Sequence, residues 1–413
     1  MNKKIQTLKG FRDFSAKKMV IRNEIIKRLR SVFEKYGFDE LQTPSLEYQE
    51  ILLGKYGEEA EKLMYLFQDP GGRNVGLRYD LTVPLARFVG NNVDLPIPFK
   101  RYQIQPVWRA DKPQKGRYRE FYQCDVDTVG SNSPTADAEI LAIISDCLRA
   151  LDFQSFKIRV NSRQVLFSIM EKAGIKNEMY FSVIQSIDKL DKKTPIEVED
   201  ELATKGISES AIKEIFEILK QVKPDAILSQ VCDQAVRMGA KNLVFDPTLA
   251  RGLDYYTGPI FESVVEEPKI GSLTGGGRYD NLLKNLGGFD YPATGTTLGL
   301  DRIADVIDEL NLWPNLPDTQ TMVLVCVLSS DIFEKSLDIV SNLRNNGVNC
   351  EIALESDKKI GGQLKYADQK GIPYAIIIGP DEIKSNKLVL KNLATRQQKI
   401  ASLAEIVQQL IAS

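Results

Sequence analysis

The sequence predicts an α+β domain built on an antiparallel sheet and carrying a helical insertion, followed by a smaller C-terminal α/β domain. Three observations predict it. Short segments rich in β-branched and aromatic residues occupy the chain before residue 130 and return near Leu243. Between them, from about 165 to 240, the sequence becomes charged and helix-periodic. After a Pro-rich break at Leu312-Trp-Pro-Asn-Leu-Pro-Asp-Thr-Gln320, strand and helix patterns alternate. A chain of 413 residues exceeds what one core usually supports, and we expect domains at 1–318 and 319–413.

Residues 17–36 carry Ile21, Ile25, Leu29, Val32 and Phe33 at three-to-four spacing and read as an amphipathic helix closed by Gly37. A strand and loop follow around Leu41-Gln-Thr-Pro44. Segments 75–79, 99–108 and 121–129 read as antiparallel strands, and 137–151 as a helix with Ile140, Ile143, Ile144 and Leu148 on its apolar stripe. The stretch 165–238, with Ala211-Ile-Lys-Glu-Ile-Phe-Glu-Ile-Leu219, reads as a helical insertion. Tandem domains would look similar, but the motifs after residue 245 belong chemically with those before 130. Beyond the break we expect strands 321–328, 348–354, 373–379 and 387–394 with helices 331–346, 360–370 and 403–412, on a largely parallel sheet.

Composition excludes several classes of function. The chain has no histidine, which removes Ser-His-Asp and Cys-His triads, His-bearing zinc sites and imidazole bases. Five cysteines without a C-x-x-C pair argue against a disulfide framework or a zinc site. The N-terminal residues lack a signal-peptide stretch and no run approaches a membrane span, so we expect a cytoplasmic protein. A net charge of −2 announces no nucleic-acid partner. Locally, 100–123 holds seven Lys/Arg against two acids and 359–399 eight against three; each is a candidate interface or a solvated basic face.

Three stretches carry chemistry. Trp108-Arg109-Ala-Asp111-Lys-Pro-Gln-Lys-Gly-Arg117-Tyr-Arg119-Glu-Phe121-Tyr-Gln123 turns through a Lys-Gly loop and returns through aromatics. Guanidinium forks bind phosphates bidentately and a ring can stack on a base, so it suits a nucleotide, although a solvated hairpin would read alike. Ala250-Arg251-Gly-Leu-Asp-Tyr255-Tyr256-Thr-Gly258 precedes Gly271-Ser-Leu-Thr-Gly275-Gly276-Gly277-Arg278-Tyr279-Asp280. Consecutive glycines in a strand context mean a bulge, a close backbone approach or a hairpin turn. If 255–256 is strand, its two tyrosines face opposite sides. Thr294-Gly-Thr-Thr-Leu-Gly299-Leu-Asp301-Arg302-Ile303 runs from strand to helix, placing Arg302 at a helix N-terminus, where anions are favoured.

Together these stretches resemble, in order, the signatures of class II aminoacyl-tRNA synthetases. Gly37-Phe-Asp-Glu-Leu-Gln-Thr-Pro44 is similar to motif 1, the Arg109 segment to motif 2 and Gly299 to Arg302 to motif 3. Arg251-Gly-Leu-Asp-Tyr-Tyr256 and Gly275-Gly-Gly-Arg-Tyr-Asp280 resemble the two signature peptides of histidyl-tRNA synthetases. The resemblance spans essentially the whole chain, including Lys365-Tyr-Ala-Asp368 and Gly379. It implies a class II synthetase-type catalytic domain, a C-terminal anticodon-binding domain and a homodimer that uses ATP with Mg²⁺ to activate histidine and loads it onto tRNA(His).

The resemblance also implies roles. Asp80, Leu81, Thr82 and Gln123 match residues at the histidine amine, while Gln123, Asp127, Tyr255, Tyr256 and Tyr279 match its imidazole surroundings. Arg109, Asp111, Arg117, Phe121 and Arg302 match the ATP site, Phe121 as the ring on adenine. Arg251 matches the catalytic arginine and Arg109 the arginine on the α-phosphate. Asp111 departs from the usual Arg-x-Glu, shortening by one methylene the carboxylate assigned to the adenine amino group. The rival reading is the non-catalytic synthetase-like regulatory subunit of ATP phosphoribosyltransferase, whose members typically lack the anticodon-binding domain and the catalytic signatures. A threonyl- or prolyl-type class II enzyme fails on the two histidine-type peptides.

Overall fold

A computed structural model describes residues 5–53, 62–251, 255–281, 284, 290–354 and 359–412. Gly252, Leu253 and Asp254 of the first signature peptide lie outside the described residues. The chain divides into two compact units, one ending at Asp13 and resuming over Glu24–Trp313, the other comprising Phe14–Asn23 and everything from Pro314. Among the described residues no helix is long and apolar enough to cross a membrane.

The first unit contains β1 (Asp39–Glu40), β2 (Leu46–Tyr48), β3 (Leu66–Gln68), β4 (Asn74–Leu77), β5 (Phe99–Trp108), β6 (Glu120–Val129), β7 (Lys157–Ser162), β8 (Leu243–Phe245), β9 (Pro259–Val264), β10 (Thr274–Arg278) and β11 (Ala293–Gly299). Eight of them form one sheet in the order β1-β5-β6-β11-β10-β9-β7-β8. The expected antiparallel pairing holds from β5 through β7, whereas the edge pairs β1–β5 and β7–β8 are parallel. The segment expected as a strand near residue 75 pairs elsewhere, as the centre of a three-stranded sheet, β2-β4-β3.

Helix α1 (Ala16–Lys35) buries Ile25, Leu29, Val32 and Phe33, leaving Ile21 half-buried. Short helices α2 (Gln49–Leu53) and α3 (Thr82–Asn91) follow. Helix α4 (Pro134–Ala150) starts three residues before the expected 137. Ser133 accepts from the Thr135 amide and Pro134 fills the first helical position, where its missing N–H costs nothing. Its stripe of Ile140, Ile143, Ile144 and Leu148 is fully buried as α4 crosses β6, β9, β10 and β11.

Five helices, α5 (Arg163–Lys172), α6 (Tyr180–Ile187), α7 (Pro195–Thr204), α8 (Glu209–Gln221) and α9 (Ala226–Arg237), lie between β7 and β8. Parallel neighbours need a crossover, and this insertion is that crossover. Ser162, Thr194, Ser208 and Asp225 cap four of the helices. Their apolar core continues into Leu249, Ala250 and Ile260 of the sheet body. Helix α10 (Leu300–Glu309) leaves β11 directly.

The second unit carries β12 (Val323–Val327), β13 (Cys350–Ile352), β14 (Tyr374–Ile378), β15 (Leu388–Asn392) and β16 (Gln398–Ala401), ordered β13-β12-β14-β15-β16. Its helices are α11 (Phe333–Asn345), α12 (Ile360–Lys370), α13 (Pro380–Ser385) and α14 (Leu403–Ile411). The expectation of a largely parallel sheet is corrected: β13, β12 and β14 are parallel, but β15 and β16 add an antiparallel edge. Strand β16 went unread because three of its four residues are exposed, so it shows no apolar alternation.

Candidate active site

Cross-strand register places Arg101 of β5, Asp127 of β6, Gly295 of β11 and Gly277 of β10 side by side. Two residues along, Gln103, Asp125, Thr297, Gly275 and Glu262 of β9 form a second row. Side chains alternate along a strand, so both rows belong to one polar face. The opposite face carries buried Tyr102, Ile104, Cys124, Val126 and Leu298, with the Tyr102 ring 5.4 Å from Phe33 of α1.

Two cavities open on the polar face. The smaller, about 280 Å³, is lined by Arg109, Asp111, Arg117, Phe121 and Arg302, together with Gly116, Ser272 and Asp301. The larger, about 540 Å³, is lined by Asp80, Thr82, Asp125, Asp127, Tyr255, Tyr256 and Tyr279, with Gln185 and Asp188 from the insertion. Arg109, Gln123, Arg251, Gly275 and Thr297 line both. Of the fourteen residues to which the resemblance gives a site role, Leu81 alone lines neither: its side chain is fully buried. What it contributes is a carbonyl that accepts from Arg101 at 3.4 Å.

In the smaller cavity, Arg109 donates from Nε to the Tyr79 carbonyl at 3.1 Å, with its guanidinium 4.3 Å over the Tyr79 ring and 5.3 Å from that of Phe121. Arg302, at the start of α10, donates to the carbonyls of Gly116 (3.1 Å) and Ser272, which ties the 114–117 turn to the helix. Burial pushes its pKa down, and the nearby charges of Arg251 and Arg117 push it further. Mutually repelling guanidiniums around a cavity favour an anion between them. Arg251 is held by the Ser272 hydroxyl at 2.7 Å and Glu262 at 3.0 Å, its side chain lying over Gly275. A Cβ on Gly275 would strike that guanidinium, and one on Gly276 would strike the Gly295 carbonyl. The close-approach reading of the glycine run therefore holds; it is not a hairpin turn, since all three glycines lie within β10.

In the larger cavity, Asp80 accepts from the amides of Thr82 (3.1 Å) and Val83 (2.9 Å), fixing the start of α3. Asp127 takes the Tyr279 hydroxyl and lies 2.8 Å from the Arg101 guanidinium. Burial raises the Tyr279 pKa, and Asp127 adds to it; burial likewise raises Tyr256. Both phenols therefore keep their protons. Asp125 is pushed up chiefly by burial and also by Asp127, against the pull of Arg101. Gln123 donates to the Thr297 hydroxyl at 3.0 Å, while its Oε1 is buried without a hydrogen-bond partner. The condition under which Tyr255 and Tyr256 would face opposite sides is not met: the segment is not strand, and the rings pack at 4.3 Å, tilted by 46°.

Sequence reading missed Arg101, Asp125, Glu262, Asp188 and Arg12, whose guanidinium pairs with Asp301 and lies 3.2 Å over the Tyr118 ring. A signal existed for two of them: Arg101-Tyr-Gln103-Ile-Gln105 and Gln123-Cys-Asp125-Val-Asp127 alternate polar with apolar, as half-buried strands do. Among the described residues no three Asp, Glu or Cys side chains gather to hold a metal ion.

The family model described as histidyl-tRNA synthetase matches residues 10–303, and that of the anticodon binding domain matches 322–413. A histidine–tRNA ligase of Aeropyrum pernix is 43% identical, with 97% of this chain and 96% of the relative covered. The chain belongs to the histidyl-tRNA synthetase family. Histidyl-tRNA synthetases are aminoacyl-tRNA synthetases, ligases of protein biosynthesis, and this one folds as they do. The crystal structure of the Nostoc sp. histidyl-tRNA synthetase superposes with a TM-score of 0.87 over 100% of both chains at 27% identity. A Bacillus halodurans structure titled as an ATP phosphoribosyltransferase regulatory subunit/histidyl-tRNA synthetase reaches a TM-score of 0.74 at 19% identity, covering 87% of this chain and 96% of that one, and shows the fold alone.

Proposed function

We infer that this chain activates histidine with ATP to histidyl-adenylate and transfers it to the 3′ end of tRNA(His). The observation that carries the reading is the meeting of two cavities at Arg109, Gln123 and Arg251. One is ringed by arginines and contains an aromatic ring, as a nucleotide requires; the other is walled by carboxylates and phenols, as an amine with a hydrogen-bonding ring requires.

Adenylate formation brings the histidine carboxylate in line onto the α-phosphorus as pyrophosphate leaves. Two anions must approach, so positive charge and positioning dominate, and no general base is needed because the nucleophile is already ionised. A chain without histidine can do this. Arg109 and Arg251 at the shared wall act on the α-phosphate, with Arg302 and Arg117 on the nucleotide, Phe121 stacked on adenine and Asp111 at its amino group. Asp80, Thr82 and Gln123 take the ammonium group, with Leu81 contributing only backbone. Asp127, Tyr255, Tyr256 and Tyr279 surround the imidazole. In the second step the adenylate phosphate accepts the proton of the attacking ribose hydroxyl. Mg²⁺ would enter on the triphosphate, held mostly by phosphate and water oxygens, since the described residues offer no carboxylate cage. Residues 319–413 would bind the anticodon stem-loop through basic segment 359–399, and the protein would act as a cytoplasmic homodimer.

The test is ATP–pyrophosphate exchange across the twenty amino acids. Exchange with histidine alone supports the reading; none with any amino acid would return the regulatory-subunit alternative.

A further inference from the structure

We propose that Arg101 is a positioning residue that sets affinity for histidine by clamping the Asp127 carboxylate toward the substrate ring. The inference rests on the reading of the larger cavity as the histidine site. Arg101 is fully buried on β5, directly opposite Asp127 on β6 and 2.8 Å from its carboxylate. Its Nη1 donates to Gln103 Oε1 at 3.2 Å, and Nη2, the nitrogen beside Asp127, also donates to the Leu81 carbonyl at 3.4 Å. One guanidinium thereby links the acid on one cavity wall to the Asp80–Thr82 segment on another. Arginine is rarely buried completely, because a charge taken from water must be paired and hydrogen-bonded. Here it lies beneath a cavity that it does not line.

The surroundings of Asp127 show what the clamp achieves. Tyr279 donates to one carboxylate oxygen and Arg101 pairs with the other, so neither is free to swing. On the neighbouring strand β11, the residue opposite Asp127 is Gly295, where any Cβ would collide with that carboxylate. Cation, acid and gap thus follow one another across three strands. A carboxylate so held presents its remaining acceptor capacity to the cavity it lines, the geometry that rewards a ring N–H. Asp125, 3.9 Å from the same guanidinium, brings the cluster to two acids and one cation. A purely structural Arg101 would only neutralise these acids.

The experiment compares Arg101→Met, Arg101→Lys, Asp127→Asn and the double variant Arg101→Met/Asp125→Asn in histidine-dependent pyrophosphate exchange, with thermal melts alongside. The double variant keeps the net charge of the buried cluster, so it separates the clamp from charge balance. Weakening the proposed hydrogen bond from the substrate ring to the charged Asp127 should raise KM for histidine about tenfold to a hundredfold in Arg101→Met, the double variant and Asp127→Asn. KM for ATP should stay within about twofold, and Arg101→Lys should recover part of the loss. If Asp127→Asn leaves KM for histidine unchanged, the assignment of the cavity fails and the inference falls with it. If Asp127→Asn raises it while a folded double variant does not, the cavity stands and the role of Arg101 is overturned. Parallel rises in both KM values, with a lowered melting temperature, would likewise reduce Arg101 to a structural ion.

Discussion

Gly275 and Gly276 are adjacent on β10, yet an added methyl would meet different obstacles. At Gly276 it would press on the Gly295 carbonyl and on the Thr296 Cα at 2.7 Å, both backbone atoms that cannot turn aside. Gly276→Ala should therefore cost about 1–3 kcal/mol in urea unfolding, as overpacking usually does. At Gly275 the obstacle is the end of the flexible Arg251 side chain, so Gly275→Ala should keep most of the stability and lose exchange activity instead. Equal stability losses in the two variants would contradict this account. Arg251→Ala should lower kcat for exchange by about 10²- to 10³-fold with an unchanged melting temperature, since its charge is needed chiefly in the transition state. Exchange within tenfold of the parent protein would show that Glu262 and Ser272 hold Arg251 for another purpose.

The insertion depends on polar contacts at its surface as well as on its apolar core. Glu201 of α7 accepts from Lys189, Lys193 and Ser186, which holds its carboxyl well below the usual value of 4.5. A depressed folded-state pKa stabilises above the unfolded value and is lost as pH falls toward the folded one. Glu201→Gln should thus destabilise most at neutral pH, by roughly 1 kcal/mol for such solvent-facing pairs. The difference from the parent should shrink as pH drops below about 4.5. Chemical denaturation at pH 7 and pH 3.5 measures it; a constant difference would mean that the ion pairs contribute nothing. The helical character of this region was legible in its periodicity, but its capping residues were not singled out, and the Lys–Glu cluster joins a 3₁₀ turn to a helix and has no local signature.

At the scale of the molecule, Leu46, Tyr48 and Phe67 stand 44%, 48% and 45% exposed on the small sheet β2-β4-β3. Apolar side chains grouped on one sheet suit a two-fold contact, the assembly proposed above. Sedimentation should show a dimer at micromolar concentration, and Tyr48→Glu should shift it to monomer; a fully active monomeric parent would refute the proposal. In the second unit, Lys365, Lys384 and Lys387 are exposed within the basic segment. Replacing all three by Gln should raise KM for tRNA and flatten its salt dependence, by roughly 0.7–0.9 in log–log slope for each phosphate no longer neutralised, while pyrophosphate exchange stays unchanged. Equal losses in charging and exchange would argue against the separate tasks proposed for the two regions.

The sequence by itself determined most of the elements, because helix and strand periods are local. Strand 99–108 and helix 360–370 end where their patterns end. It also determined which chemistry was excluded, since no fold can supply an imidazole to a chain that has none. The motifs carried a family resemblance, and thirteen of the fourteen residues drawn from it line the two cavities, Leu81 being the one that does not. Tertiary structure decided what stands beside what. Arg101 faces Asp127 across 26 positions of chain and Gly295 faces Asp127 across 168, through strand register that no local window contains. Tyr255 and Tyr256 pack together in a segment that is not strand, a point their composition left open. Side-chain periodicity is written in neighbours along the chain; a buried charge is stabilised only by partners across strands, and those exist once the sheet has formed.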